Sequence, residues 1–359
     1  MKKEHLLIIR FSALGDVAMT VPVVYSLAMT YPKLRITFLS RSFARPLFEK
    51  LAPNVMFMEA DLKFEYHGIK GLNALYRRLT AKNFTAVADF HNAFRSEYLR
   101  LRFNIDMFKV AHLDKHRAGK RLMVSPINTK LSPLPTLFDD YADVLAKLGY
   151  PIKWQFTSLF PNGKPSLQQL RIPEITQKNS EPWIGIAPFA LHQAKIYPLE
   201  QMRQVIDLLA ARYPNCRLFL FGRGEREDRI FPGWCQSVAQ CLNVGEIISG
   251  LREELMLMSH LDAMISMDSA NLHLASLVQV PVISVWGPSH PFMGMTGWKQ
   301  EENRIVQADL PCRPCTISGN KSCPRGNLEC MDRITPEMIV GRTVFEIEKA
   351  KRNKTENIS

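Results

Sequence analysis

The sequence predicts an α/β protein made of two doubly wound, parallel-sheet domains. Three observations point there. Short, continuous apolar runs recur between amphipathic stretches of helical period. The rhythm occurs twice, on either side of residues 161–182, where Pro161, Asn162, Gly163, Pro165, Pro173 and Pro182 interrupt the apolar pattern. The length, 359 residues with 46% hydrophobic content, suits about two domains with ordinary cores.

In chain order, Leu6-Leu7-Ile8-Ile9-Arg10 reads as a buried strand. It breaks at Phe11-Ser12-Ala13-Leu14-Gly15-Asp16 and continues from Val17 as a helix. Further strands are expected at 35–40, 55–59, 85–90 and 107–112, with helices between them and another over Thr136–Leu148. The second half should place strands at 183–187, 216–221, 244–248, 262–267 and 281–286. Its helices are expected at 199–212, 226–241, 252–260 and 269–278, with a last amphipathic helix over Thr335–Lys351. There is no low-complexity segment and no solenoid repeat.

The net charge of +12 is uneven. Residues 1–160 hold 24 Lys and Arg against 13 Asp and Glu, and residues 161–359 hold 22 against 21. The excess is densest from Arg95 to Arg121. Such a face is either plain solvation or a seat for an anionic partner, nucleic acid or an acidic lipid surface. No nucleic-acid module signature is present, and such a protein would not need acids at the mouths of two strands. No apolar run reaches the ~18 residues of a spanning helix. The N-terminus enters a strand without a signal-peptide pattern, so a cytoplasmic protein is expected.

Open α/β sheets bind ligands at strand-to-helix turns. The turn ending in Asp16 is one such place. A carboxylate there repels phosphate, and neither G-x-G-x-x-G nor a Walker lysine is present. Asp16 is thus either a helix cap or a catalytic base. Asp268-Ser269-Ala270-Asn271-Leu272-His273 follows a buried strand and opens a helix whose N–H groups can hold phosphate. His273 falls inside that helix, as a packed residue or a supporting one. The loop after residue 187 carries Lys195, a surface lysine or a phosphate-neutralising cation. Phe221-Gly222-Arg223-Gly224-Glu225 is a third strand-end turn in the second half, where Glu225 can take ribose hydroxyls or sit as a helix N-terminal charge. Cys312, Cys315, Cys323 and Cys330 form a proline-rich cluster. In a reducing compartment this is a structural zinc site, a set of free thiols or a redox-labile pair.

Taken in order, these segments resemble glycosyltransferase family 9, the ADP-heptose:lipopolysaccharide heptosyltransferases. Ser12-Ala13-Leu14-Gly15-Asp16 matches the family's opening turn. Lys195-Ile196-Tyr197-Pro198 matches its middle loop, with Tyr for Trp. Asp268-Ser269-Ala270-Asn271-Leu272-His273-Leu274-Ala275, followed by Pro281 to Pro288, matches its late motif with Ala270 for Gly. Asp89 to Ser96 resembles a divergent acceptor motif in which His91-Asn92 replace Gln-Gly. Cys330-Met331 before the last helix also occurs in relatives.

The resemblance implies a GT-B fold of two Rossmann-like domains facing a cleft: 1–165 for the acceptor and 166–334 for the donor, with a helix and tail at 335–359 packing back on the first. It implies metal-independent inverting transfer of a heptose from a nucleotide sugar, ADP-heptose, to an anionic inner-core glycolipid at the inner membrane face. Asp16 would be the base and Lys195 the cation for the leaving diphosphate. Ser12, Gly15, Glu225, Asp268, Ser269, Ala270 and His273 would hold the donor, and Arg95, Lys120 and Arg121 the acceptor. Another nucleotide sugar, or a catalytically silent nucleotide-binding relative, is the alternative.

Overall fold

The computed structural model describes residues 4–125 and 131–356. The chain forms two compact units. The first runs to Arg117 and resumes over Pro135–Leu159; the second takes the described residues between Ala118 and Leu134 and the chain from Phe160 on.

The first unit carries strands β1 (His5–Ile9), β2 (Arg35–Ser40), β3 (Val55–Glu59), β4 (Ala86–Asp89) and β5 (Lys109–His112). They form one parallel sheet in the order β3-β2-β1-β4-β5. Leu7 pairs with Thr37 on one side and Val87 on the other. Helices α1 (Leu14–Thr30), α2 (Arg45–Phe48), α3 (Gly68–Thr80), α4 (Phe94–Ile105), α5 (Arg117–Met123) and α6 (Leu137–Lys147) follow in the chain; α5 begins at the junction and its remaining residues belong to the second unit.

The second unit carries β6 (Trp183–Ala187), β7 (Arg217–Leu220), β8 (Cys241–Asn243), β9 (Ala263–Met267), β10 (Val282–Trp286) and β11 (Ile305–Gln307). All are parallel, in the order β11-β10-β9-β6-β7-β8. Its further helices are α7 (Leu199–Arg212), α8 (Glu225–Ser237), α9 (Val244–Ile247), α10 (Leu251–Met258), α11 (Ala270–Leu277), α12 (Glu329–Asp332) and α13 (Pro336–Glu356).

Every residue of β1, β6, β9 and β10 is buried, which explains their unbroken apolar runs. In each sheet the first strand sits centrally and the fourth lies on its other side, so the strand order reverses between β1 and β4 and again between β6 and β9. Ligands of such sheets bind beyond the carboxyl ends of the strands at that reversal. Both sheets therefore aim their switch points at the turns that the sequence singled out.

One expectation is corrected, and one strand was not foreseen. The strand expected at 244–248 is instead β8, three residues earlier. The Asn243 side chain accepts from Gly245 N–H at 3.0 Å and caps the turn α9. The edge strand β11 was not foreseen; three residues between polar neighbours carry too little pattern. The last helix, α13, lies on α7, β9 and β10, with Ile339, Thr343 and Ile347 buried at helical spacing. Buried Glu346 there meets Arg304 at 2.9 Å. The chain leaves the first unit after Leu159, and the described residues between Ala118 and Leu134 go with the second unit. Residues 357–359 of the expected tail lie outside the described residues.

Candidate active site

At the first switch point, Arg10 ends β1 as a buried cation. Its guanidinium donates to the Phe90 carbonyl at 2.7 Å and pairs with the Asp16 carboxylate. Asp16 lies in the first turn of α1 and also accepts from the Ala13 N–H at 3.3 Å. The cap and the charged site are thus one residue. The Asp16 side chain is 26% exposed, so a buried cation and a backbone donor hold a carboxylate that still faces solvent. The Tyr141 hydroxyl donates to the Asp16 carbonyl at 3.3 Å and fixes the turn from α6.

The adjacent loop is built on Asp89, wholly buried at the end of β4. It accepts from His91 N–H (2.9 Å), Asn92 N–H (2.8 Å) and the Arg100 guanidinium (3.2 Å). Asn92 takes a left-handed conformation, φ 46°, and its side chain donates to the Leu113 carbonyl at 2.7 Å. The loop sets His91 Nε2 3.5 Å from the Ser12 hydroxyl. Burial, then the Arg10 and Lys115 charges, push the His91 imidazole down to about 4, so it is neutral at physiological pH. Burial, with Arg10 and Arg117 nearby, also lowers the Lys115 ammonium.

His290 in the second unit is likewise pushed down to about 4, by burial and then by Arg313. Both native values lie below the ordinary histidine range, so the unfolded chain takes up protons first as pH falls. Their contribution to stability is complete above about pH 6.5 and is lost toward pH 4. Melting temperature should therefore fall between neutral pH and about pH 5. A His91→Asn/His290→Asn variant should show a smaller fall; an undiminished one refutes the assignment.

At the second switch point, Lys195 closes a single 3₁₀ turn after β6. Its ammonium lies 2.6 Å from Asp268 Oδ2, just beyond β9. The same oxygen accepts from the Ser289 hydroxyl at 2.6 Å. Both partners are nearly enclosed, with 13% and 10% of their side chains exposed. Gly319 packs on the lysine stem: a Cβ there would stand 2.6 Å from Lys195 Cγ, and its φ of +77° is left-handed. Gly319→Ala should destabilise the protein by roughly 1–3 kcal/mol by crowding the Lys195 stem. Thermal melts check this; an unchanged melting temperature would refute it.

Ser269 precedes α11, with its hydroxyl 3.3 Å from that of Ser266. The first N–H groups of α11 have no partner within the helix and carry its positive dipole end. Ala270 opens that helix with helical backbone, so the missing glycine costs nothing here. His273 is buried inside α11, a packing position. Glu225 is exposed at the start of α8, after Gly222 and Gly224 at φ +148° and +136°. Tyr197 is fully buried and donates to the Ile334 carbonyl at 2.6 Å, a structural anchor.

The expected donor residues divide: Ser12 and Gly15 lie beside Asp16 in the first unit, the others in the second. The acceptor residues divide too. Arg95 is exposed on α4 of the first unit, whereas half-buried Lys120 and exposed Arg121 on α5 go with the second. Several cations of the basic stretch have internal duties. Arg100 holds Asp89 and Asn92, Arg102 meets Asn73, and Lys109 donates to the Leu148 carbonyl at 2.7 Å.

Cys312, Cys315, Cys323 and Cys330 line one cavity of about 950 Å³ in the second unit. All are free, and among the described residues no three His, Cys, Asp or Glu side chains are grouped to hold a metal ion. Arg313, between Cys312 and Cys315 in the chain, is buried and donates to the carbonyls of Gly287, Ala308 (2.5 Å) and Ser289 (3.1 Å). Burial raises Cys330 to about 11, keeping it a thiol.

Sequence reasoning missed Arg10, Ser289 and Gly319. Arg10 had a signal, a cation ending an otherwise apolar strand six residues before an acid. Ser289 and Gly319 had none, because only the fold brings them to Asp268 and Lys195.

The chain is similar to several known proteins. The chain is 26% identical over 296 residues to the lipopolysaccharide core heptosyltransferase OpsX of Haemophilus influenzae, covering 80% of each chain. It shares its fold with a family 9 glycosyltransferase from Veillonella parvula, at a TM-score of 0.73 and 18% identity, covering 97% of this chain and 98% of that one. It is also similar to E. coli heptosyltransferase WaaC solved with ADP-2-deoxy-2-fluoro heptose, at a TM-score of 0.65 and 16% identity, covering 95% and 99%. These likenesses identify the GT-B fold. The family model for glycosyltransferase family 9 (heptosyltransferase) matches residues 72–324, and the chain belongs to that family of glycosyltransferases.

Proposed function

We propose that this glycosyltransferase moves a heptose from ADP-heptose to the anionic inner core of lipopolysaccharide, by inverting transfer without a catalytic metal. The observation that carries the reading is a matched pair of switch-point sites. One presents a partly open carboxylate held by a buried arginine. The other presents an enclosed lysine beside a helix N-terminus.

The acceptor hydroxyl attacks the anomeric carbon as the bond from that carbon to the ADP oxygen breaks. Asp16 takes the hydroxyl proton. The Arg10 pair and the Ala13 N–H aim the carboxylate, and neutral His91 beside Ser12 offers a hydrogen-bonding edge to the acceptor. Negative charge grows on the departing diphosphate. Lys195 and the N–H groups at Ser269 and Ala270 meet it, so the chain supplies its own cation where a metal would otherwise act. Asp268 and Ser289 orient Lys195, which has three donors and can hold Asp268 while serving a phosphate. Glu225 binds the ribose hydroxyls, His273 supports the donor loop by packing, and Arg95, Lys120 and Arg121 attract acceptor phosphates.

The relatives support the substrates. OpsX is named for lipopolysaccharide core transfer, and WaaC was solved with an ADP-heptose analogue. The helical backbone at Ala270 argues against a silent relative. The test is ADP release with ADP-heptose and other sugar nucleotides, with and without a deacylated inner-core acceptor. Acceptor-dependent release from ADP-heptose supports the reading. Release from a different sugar nucleotide alone keeps the chemistry and replaces the donor. Donor binding without release under any combination refutes transfer.

A further inference from the structure

Helix α4 is apolar on its solvent side. Ser96, Leu99 and Phe103 are buried and form its inner face. At 100° per residue, the opposite pole falls on Phe94, Leu101 and Ile105. These side chains are 69%, 56% and 63% exposed, and Met107, just beyond the helix, is 89% exposed. A surface helix of a globular protein keeps its charged residues at that pole. Here an apolar stripe about 16 Å long stands in water.

We propose that this face of α4 docks on an anionic membrane surface, which presents the lipid-borne acceptor to Asp16. The inference rests on the transferase reading for the acceptor, but the docking itself does not depend on catalysis. Charge selects the occupant. The first unit holds 21 Lys and Arg against 13 Asp and Glu, and exposed Arg95 lies one residue from Phe94 on the flank of the stripe. An apolar strip beside net positive charge fits acidic headgroups over acyl chains, as interfacial helices do. A second copy of this chain would bring the same positive charge against itself. Position agrees. The loop that Asp89 builds beside Asp16 leads directly into Phe94, so the stripe starts at the rim of the first switch point. Among the described residues no helix is long and apolar enough to cross a membrane.

The test compares the full chain with a Leu101→Ser/Ile105→Ser variant, two positions outside the catalytic machinery. Flotation with vesicles of phosphatidylglycerol and phosphatidylethanolamine, and with phosphatidylcholine alone, reads docking. Turnover on deacylated acceptor and the melting temperature are read in parallel. The wild type should float with the anionic vesicles, less so at high salt, and hardly with phosphatidylcholine. The variant should bind roughly tenfold or more weakly while keeping its melting temperature and its turnover on soluble acceptor. Failure of the wild type to bind anionic vesicles overturns the proposal, as does a variant that binds equally well. A wild-type dimer that the substitutions convert to monomer, with vesicle binding unchanged, assigns the face to a second copy instead. Vesicle binding with no turnover on any acceptor refutes the transferase reading and leaves the docking surface standing.

Discussion

Asp16→Asn lowers acceptor-dependent ADP release by about 10²–10⁴-fold while ADP-heptose binding persists; that is the expected result if Asp16 is the base. The substitution suits the site because it isolates proton transfer. An asparagine keeps a carbonyl oxygen for Arg10 and for the Ala13 N–H, two donors to the carboxylate. It cannot take a proton at neutral pH. Loss of the negative charge weakens the pairing of a buried guanidinium, and the fold should lose about 1–3 kcal/mol. Arg10 keeps its bond to the Phe90 carbonyl, so the variant still folds. Calorimetric titration with ADP reads donor binding, and product release under saturating acceptor reads chemistry. A D16N enzyme with turnover within a few-fold of wild type would remove Asp16 from the reaction and leave it a helix cap. Asp16→Glu separates charge from position: it keeps an anion for Arg10 but moves the oxygens by one methylene. Stability should then be retained better than rate.

Lys195→Met carries the second large effect. Turnover should fall about 10²–10³-fold, the range for removing one preorganised donor from a site of developing charge. Donor affinity should fall as well, since the diphosphate is already anionic in the ground state. The substitution also strands Asp268, whose side chain is only 10% exposed, with Ser289 as its remaining named partner. An uncompensated buried carboxylate costs about 3–5 kcal/mol. A simple loss of activity therefore has two explanations, and a double variant separates them. Lys195→Met/Asp268→Asn removes both charges. Its melting temperature should recover most of the loss while turnover stays low. Recovery of both would make the pair structural, and the phosphate cation would have to come from elsewhere. Lys195→Arg is not a conservative control, because a planar guanidinium presents its donors in a fixed fork where the ammonium is a compact point charge.

Much of the fold was legible because buried parallel strands are read directly from apolar runs. Strands at 35–40, 55–59 and 183–187 and the helix over 199–212 stand as expected, each apolar run being bounded by clear turns. Residues 241–248 misled for a local reason. Val244 and Ile247-Ile248 look like a strand, but Asn243 caps a turn of helix there and pairing stops one residue earlier. The acid at the first turn and the lysine of the middle loop were legible as candidates, since strand-end turns are where such sheets expose their chemistry. The roles left open between cap and base, or surface lysine and buried cation, were not legible, because burial and partners belong to the fold.

The sequence by itself determined the class of the fold, the repeat of its rhythm, the four strand-end turns offered as candidate sites and the excess of positive charge in the first half. Those properties follow from local pattern, which neighbours along the chain express whatever the tertiary arrangement. Only the tertiary structure decided that Arg10 pairs with Asp16, that Ser289 and Gly319 close around Asp268 and Lys195, and that Arg313 is buried against the Ala308 carbonyl. It likewise decided that α13 packs on the second sheet and that Phe94, Leu101 and Ile105 face outward. Each of these joins residues distant in sequence or depends on which side of a helix is covered. A one-dimensional pattern shows that a helix has faces, but packing selects the one that meets water.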